Sequence, residues 1–496
     1  MSTPADWAEE GLFQGDCRER LRDLEENAVD SLVTDPPYGI GFMGRTWDTF
    51  TPGAEQARTV ANRDAESDNP NVAGRQRSPA ASPSAVEYNR TLAGQREFQA
   101  WTESWAREAL RVLKPGGYAV VFGAPRSFHR MMSGLEDAGF EVRDTLCWLF
   151  GQGFPKSLNV ARAVAAFEAS GRSRPEDLRR LAMGDEYTPS GRGRVNYDHG
   201  SGSVMNGKTI TADAAACGAG WGTALKPAWE PIVLARKPLA GLTVAECFLR
   251  YGTGGINIGG CRIGSGEDIA RDISGAVLGR WPANVALDEA AAQALDDHAG
   301  ALKSGARSTS TVRTSERTRG VDDEWPGDGT QAYPVDVAAS TGGPSRFYYC
   351  SKVSRAEREF GCGDLPVRSA GEATGGRAEG SAGLNNPRAG AGRSTTSHNA
   401  HPTVKPIALM RWLTKLITPA GGTIVDPFVG SGTTGIACAL EGFGFYGTDL
   451  EAEWLAVAHA RIGAWRARAL AGGLNDIASR EVDVPLPLEG VPDAQP

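Results

Sequence analysis

Asp426-Pro427-Phe428-Val429-Gly430-Ser431-Gly432-Thr433-Thr434 is the stretch that decides the fold. The short apolar run Thr423-Ile424-Val425 leads into it, and a helical pattern, Ile436 to Phe443, leaves it. Strand, glycines, helix is an arrangement in which a ligand can approach the backbone closely. The first turn of the helix offers N–H groups that have no partner within it. Asp449 closes the next strand, about 20 residues on, where a carboxylate can take ribose hydroxyls. The loop is not a clean GxGxxG, and no Lys follows the glycines, so it is not a Walker loop either. A plain βαβ crossover would need no ligand; the acid placed after the glycines favours a nucleotide-like one.

Working outward, His401 to Ile417 (HPTVKPIALMRWLTKLI) reads as an amphipathic helix entered through Lys405-Pro406, and a last helix begins near Ala452. Far upstream the same rhythm recurs. Phe98 to Leu113 puts Trp101, Trp105, Leu110 and Leu113 at core spacing, and Lys114-Pro115-Gly116-Gly117 should end that helix. A strand at Tyr118–Phe122, a helix at Ser127–Ala138 and a strand at Val142–Phe150 follow. Further apolar strands are expected at Ser31–Thr34 and Glu230–Ala235, and a short aromatic one at Arg346–Cys350. Alternating strands and helices predict an α/β protein.

The second chemical signal is Asp35-Pro36-Pro37-Tyr38, at the tip of the Ser31–Thr34 strand. Two prolines fix the backbone so that the Asp35 carboxylate and the Pro36 carbonyl point out of the sheet. Tyr38 beside them offers a stacking face. Two acceptors and one aromatic plane suit a flat substrate with an exocyclic amine. Such a nitrogen is a poor nucleophile because its lone pair is delocalised into the ring. Acceptors on its hydrogens favour a more tetrahedral nitrogen and relieve charge as a methyl group arrives. A Pro-rich turn after a strand is the bland alternative, and the glycine loop in the same chain argues against it.

The chain has 496 residues, with 41% hydrophobic and 23% charged residues, the composition of an ordinary globular protein of several domains. No apolar run approaches the roughly 18 residues that suggest a membrane span. The acidic N-terminus lacks a signal-peptide pattern, so a cytoplasmic location is expected. Eight scattered Cys form no CxxC pair, and the six His are scattered too, so no metal site is expected. Net charge is −8, but residues 151–420 carry about +5 and the rest about −13. Lys303 to Arg319 alone holds five bases and one acid. A basic middle between acidic ends is compatible with an insert that faces phosphates.

These motifs together resemble the permuted β-type amino-group DNA methyltransferases, which use S-adenosylmethionine to methylate adenine N6 or cytosine N4. In that family DPPY precedes the target-recognition region and an FxGxG cofactor motif comes last. Here DPPY lies at 35–38 and FVGSG at 428–432, about 390 residues later. Gly15-Asp16-Cys17, Leu113 to Gly117 and His401 to Pro406 are also family-like. The resemblance covers 11–50, 98–158, 226–238 and 401–463.

What the resemblance implies is specific. The fold is a Rossmann-like S-adenosylmethionine-dependent methyltransferase sheet, circularly permuted, with an inserted target-recognition region. Strands appear in sequence as third, fourth, fifth, insert, first and second of the usual sheet, and the tips of the first and fourth meet at the ligand crevice. Asp35, Pro36, Pro37 and Tyr38 form the catalytic motif. Asp426, Phe428, Gly430, Ser431, Gly432 and Thr433 form the cofactor loop, and Asp449 stands where the family usually has a ribose-binding Glu. Asp16 lies near the cofactor's adenine, and Lys405 and Pro406 near its methionine end.

Residues 1–150 are the catalytic half, with 43–95 a flexible loop expected to order over DNA. A Gly/Arg-rich insertion follows at 151–225, with a helical piece at 159–168, and a returning strand at 226–238. Target recognition is assigned to 239–345. An aromatic strand and linker occupy 346–400, the cofactor half 401–466 and an acidic tail 467–496.

The expected partners are double-stranded DNA, a second copy of the chain as in dimeric members, and a restriction endonuclease on a separate chain. Adenine N6 is the expected target because Asp precedes PPY. Cytosine N4, an RNA or protein amine, and a silent DNA-binding module are the alternatives. No Cys follows a Pro, so the signature of cytosine C5 methyltransferases is absent. Glu230 reads as a buried hydrogen-bonding partner rather than an acid catalyst.

Overall fold

The computed structural model describes residues 11–39, 92–151, 219–264, 277–304, 340–351, 355–367, 397–399, 401 and 403–471, with shorter pieces between 157 and 337. The expected loop at 43–95 lies almost wholly outside the described residues, as do Trp47, most of 159–168, the basic run after Ser304, the linker from Arg368 to Thr396 and the tail beyond Ala471.

The described residues of 1–151, 229–367 and 397–496 form one compact unit, and those of 152–228 and 368–396 a second. In the second, Ser157 Oγ accepts the N–H groups of Thr223 (2.9 Å) and Ala224 (3.3 Å). Strands Val204–Met205 and Lys208–Thr209 pair antiparallel.

The first unit carries a nine-stranded sheet. In chain order its elements are β1 (Leu12–Gln14), α1 (Cys17–Arg22), β2 (Val29–Thr34), α2 (Leu92–Val112), β3 (Leu113–Phe122), α3 (Phe128–Asp137), β4 (Glu141–Leu149) and β5 (Trp229–Arg236). There follow α4 (Val244–Tyr251), β6 (Val285–Asp288), α5 (Glu289–Ala299), β7 (Tyr349–Ser351), α6 (Ile407–Ile417), β8 (Thr423–Asp426), α7 (Thr433–Glu441), β9 (Gly444–Asp449) and α8 (Ala452–Leu470). The strand order is β1-β9-β8-β2-β3-β5-β4-β6-β7. Every neighbouring pair is parallel except those of β5, which runs antiparallel to both β3 and β4.

The last two strands of the sequence thus insert between the first two, as the permuted order requires. Ile424 pairs with Ser31 and Val425 with Leu32, so the tips of β8 and β2 are neighbours. That junction is where ligands bind in open α/β sheets.

The core lies on both faces of the sheet. On one, Phe98, Trp105 and Ala109 of α2 and Met131 and Leu135 of α3 are buried against Leu32, Val121 and Val233. On the other, Leu409, Trp412 and Leu413 of α6 are buried against Val33, Val120 and Leu234. Trp105 is fully buried with Trp101 packed beside it, as their helical spacing predicts.

Two expectations shift. The first helix of this block begins at Leu92 rather than Phe98, and Lys114 to Gly117 belong to β3 rather than to a break before it. Val29 pairs with Leu113 and Ser31 with Tyr118, so the turn residues bulge out of the ladder. Lys114 Nζ is tied to Asp30 (2.6 Å), and Lys237 N–H donates to the Gly117 carbonyl (2.9 Å), which holds the bulge on the sheet.

The 239–345 segment also contributes to the sheet. β6 adds to β4 through Val285↔Cys147, and β7 adds to β6. Four residues are too few for a period-2 signal to stand out. Residues 344–347 form a 3₁₀ turn, so the aromatic strand is confined to 349–351.

Asp288 ends β6 and caps α5, accepting the Ala291 N–H (2.6 Å) and the Gly151 N–H (3.0 Å). Asp288→Ala is expected to cost about 1–2 kcal/mol, measured as a lower urea midpoint with an unchanged slope. An unchanged midpoint would show that the cap contributes nothing.

Candidate active site

The carboxyl ends of β1, β9, β8 and β2 lie side by side and carry, in that order, Asp16, Asp449, the glycine loop and Asp35. The Gly15 N–H donates to the Asp449 carbonyl (2.9 Å). Asp449 Oδ2 accepts the Gly430 N–H (2.9 Å), and Oδ1 accepts the Glu451 N–H (3.0 Å). Asp426 Oδ1 accepts the Thr34 hydroxyl (2.6 Å) and the Phe428 N–H (3.0 Å). Thr34 is the residue before Asp35, so one buried hydrogen bond joins motifs 392 positions apart. Burial pushes both Asp426 and Asp449 up to about 6, which leaves them ionised above that pH.

Asp35 leaves β2 at the buried Pro36 and the partly buried Pro37. Tyr38 donates its hydroxyl to Asp35 Oδ1 (2.5 Å), and its carbonyl accepts Ser127 Oγ (2.6 Å), which pins the end of the motif to the start of α3.

Lys405 closes the other side. Its Nζ lies 2.7 Å from Asp35 Oδ2, 3.2 Å from the Tyr38 hydroxyl and 3.3 Å from Glu230 Oε2. Only 7% of the Lys405 side chain is exposed. The chain reaches this point because Pro406 is the N-cap of α6, which packs on the sheet and holds the preceding residue over the tip of β2. Burial works against the Lys405 charge. The carboxylates of Asp35 and Glu230 outweigh it, so the ammonium's pKa is raised. Burial likewise raises Glu230, partly offset by Lys405. The Glu230 side chain is 24% exposed, but its Oε2 is enclosed.

In the glycine loop, Ser431 and Thr433 are buried, and Gly432 is the N-cap of α7. The Phe428 ring turns inward, 5.5 Å from Trp101 and 5.4 Å from Trp105. Asp16 is the N-cap of α1 and bonds the N–H and Nε of Arg18, both at 2.9 Å, which hold its carboxyl below the usual range.

The structure therefore brings Asp16, Asp35, Tyr38, the glycine loop and Asp449 to adjoining strand tips, while the Phe428 ring packs into the core. Lys405, expected beside the glycine-loop ligand, instead directs its ammonium to the Asp35 carboxylate.

Three residues of the rim carried no functional expectation. Glu230 is the partner of a lysine 175 positions away, a pairing invisible in one dimension. His401 belongs to the family-like HPTVKP segment. Its ring stands edge-on to Trp454 (4.8 Å) and fills the space beside Gly430, where a Cβ would lie 2.7 Å from Nε2. Burial pushes it down to about 3, so it is neutral at ordinary pH. Arg461, fully buried in α8, donates to the Ser431 carbonyl (2.6 Å) and to Thr433 Oγ1 (3.2 Å), bracing the loop from beneath. Its pattern within α8 looks like any amphipathic helix.

A permuted, mostly parallel sheet thus carries a glycine loop at one strand tip and an acid-prolyl-aromatic motif at the next. The sequence profile of the N6/N4 DNA methylases matches residues 29–166 and 285–460, more than half of the chain. The chain belongs to that family.

Similar proteins include the type II methyltransferase M.HindIII of Haemophilus influenzae, 27% identical over 137 residues, which are 28% of this chain and 42% of that one. The type II methyltransferase M2.DpnII of Streptococcus pneumoniae is 45% identical over 62 residues, 12% of this chain and 23% of that one. The chain spans less than half the length of these curated relatives. Among solved structures, the cytosine-N4-specific PvuII DNA methyltransferase aligns over 93% of this chain and 92% of its own, at 12% identity and a TM-score of 0.38. The M1.HpyAVI–SAM complex aligns over 91% and 98%, at 13% identity and a TM-score of 0.31.

Family membership implies S-adenosylmethionine as the cofactor, and the residues present fit it. Asp449 is an ionisable carboxylate beside a glycine loop, an acceptor for the two hydroxyls of a ribose diol, and Asp16 stands at the adjoining strand tip. Bound there, the cofactor supplies an electrophilic methyl group. Among the described residues no group of three or more His, Cys, Asp or Glu could hold a metal, and no helix is long and apolar enough to cross a membrane.

Proposed function

We propose that this chain transfers a methyl group from S-adenosylmethionine to the exocyclic amine of a base in duplex DNA, with adenine N6 the target. The observation that carries the reading is the Thr34–Asp426 hydrogen bond, which fixes the amine-binding motif against the cofactor loop. Neighbouring strands are about 5 Å apart, so donor and acceptor atoms held by the two tips can meet in line.

In this reading Asp35 and the Pro36 carbonyl accept the two amine hydrogens, and Tyr38 supplies the stacking face. Asp449 and Asp16 bind the nucleoside end of the cofactor, and the loop from Phe428 to Thr433 holds its remainder. The nitrogen lone pair forms the N–C bond as the C–S bond breaks, and the electron pair leaves with sulfur. The aminium then loses one proton toward Asp35. A paired base cannot reach this rim, so the target must be extruded, at a few kcal/mol that stacking partly offsets.

Asp rather than Ser before PPY supports adenine. The acidic Asp449 in place of the usual Glu leaves the ribose role intact, since either carboxylate accepts two hydroxyls. A cytoplasmic location, dimerisation and a separately encoded endonuclease belong to the same proposal.

The test is to incubate plasmid DNA with the protein and methyl-labelled cofactor, then map the label by sequencing. Label on adenine within one short motif is the expected result. Label on cytosine N4 would move the target to the alternative base. Cofactor binding with no label on any DNA would overturn the reading.

A further inference from the structure

Lys405 is a buried cation with two carboxylates around it, Asp35 at 2.7 Å and Glu230 at 3.3 Å. The three come from separate elements: the tip of β2, the start of β5 and the turn into α6. One pair would balance charge. With both carboxylates ionised the group stands at −1, and a partly enclosed surplus charge is costly unless it has a use. Its placement indicates that use, because the surplus lies directly behind the carboxylate that faces the reacting amine.

We propose that Glu230 and Lys405 are positioning residues that set the charge behind Asp35: Lys405 anchors the Asp35 carboxylate, and Glu230 cancels the anchor's positive charge. This rests on the methyl-transfer reading above and deepens it.

During transfer, positive charge moves from sulfur to nitrogen as the N–C bond forms and the C–S bond breaks, and one proton then passes from the aminium to Asp35. A lysine alone behind Asp35 would oppose both events. With Glu230 present, Lys405 orients the carboxylate without neutralising the site. The Tyr38 hydroxyl on Asp35 Oδ1 fixes the remaining rotation.

Other ionisable groups stand near Lys405, among them Glu357, whose Oε1 accepts the Ile407 N–H (2.7 Å) two residues further on. His401 precedes it in the same turn and is neutral through burial. Arg358 donates to the His401 carbonyl (2.7 Å), and the charges of Arg358 and Arg461 help to keep that imidazole neutral. Asp426 lies behind Asp35, bonded to Thr34 and the Phe428 N–H. The Phe122 ring, 5.1 Å from Nζ, closes the remaining side with an apolar face. None of these changes in the variants below.

The test is the acid limb of the pH–kcat profile under saturating cofactor and DNA, in the full chain. Counting charges on residues 35, 230 and 405, the wild type is at −1, Glu230→Gln at 0, Lys405→Met at −2 and the double variant at −1. A less negative group holds a proton less well. Glu230→Gln should therefore move the acid limb to lower pH, by about one unit, and lower the plateau about tenfold. Lys405→Met should move the limb to higher pH by a similar amount. The double variant should return it close to the wild-type position. Cofactor affinity should be unchanged in Glu230→Gln.

A merely structural role predicts lower plateaus with no opposed shifts and no return in the double variant, and that result would overturn the inference while leaving the methyl-transfer reading intact. A wild type that binds cofactor but methylates nothing would remove the reading, and the inference with it. Should Glu230→Gln fail to fold by circular dichroism, the upward limb of Lys405→Met and its reversal in the double variant still decide the matter.

Discussion

Asp35→Asn is expected to cut methyl transfer by about 10³-fold or more while leaving cofactor affinity unchanged. The substitution keeps the size of the side chain and one carbonyl acceptor, so the turn through Pro36 and Pro37 has no reason to rearrange. What it removes is charge. In the proposed mechanism the carboxylate opposite the amine stabilises a nitrogen that becomes positive, and loss of one such aimed group in an enclosed site costs about 2.7–4 kcal/mol. In that mechanism the same carboxylate receives the departing proton, and an amide cannot, which adds a general-base loss of about 10²-fold or more.

Lys405 still has Glu230 at 3.3 Å, so the buried ammonium is not stranded, and the fold should tolerate the change. Equilibrium binding of S-adenosylmethionine by calorimetry and single-turnover methylation of plasmid DNA separate the two effects. A variant that methylates at the wild-type rate would remove Asp35 from the mechanism. Equal loss of binding and rate would instead place Asp35 in the cofactor site.

The sheet was legible because its signals are local. Tyr118 to Phe122 is a continuous apolar run between a glycine turn and Gly123, and β3 is buried over almost its whole length. Such a strand announces itself. β6 does not, because Val285–Asp288 has four residues and gains its stability from Cys147 and Leu149 across the ladder. Tertiary pairing decides a segment that short.

The same distinction runs through the site. Asp35, Tyr38 and the 430–432 glycines stand within compact motifs whose chemistry is readable one residue at a time. Glu230 and Arg461 stand within ordinary strand and helix patterns, and their roles arise from what lies across the molecule. Lys405 belongs to both kinds. Its segment is recognisable, but that its ammonium meets Asp35 depends on the crossing of α6 over β2, which no spacing encodes.

The cofactor loop offers the second large effect. Gly432→Ala is expected to weaken cofactor binding at least tenfold and to destabilise the fold by about 2–4 kcal/mol. Gly432 has φ +79°, where an added Cβ costs about 1–2 kcal/mol in any protein. The surroundings add a second penalty. That Cβ would lie 2.8 Å from both Cα and Cβ of Ala458, so helix backbone, not a flexible side-chain tip, is in the way. The loop would have to lift from α8. The Arg461 bond to the Ser431 carbonyl and the Asp449 bond to the Gly430 N–H both depend on its present height.

Gly442, at the other end of α7, separates the two penalties. Its φ is +76°, but nothing lies within 4 Å of an added Cβ. Gly442→Ala should therefore show the conformational cost alone, about 1–2 kcal/mol, with cofactor affinity intact. Urea unfolding and calorimetric titration with S-adenosylmethionine on both variants give the comparison. Equal destabilisation of the two, with binding preserved in each, would mean that the loop does not rest on α8 as its contacts imply, and that its height does not matter to the cofactor.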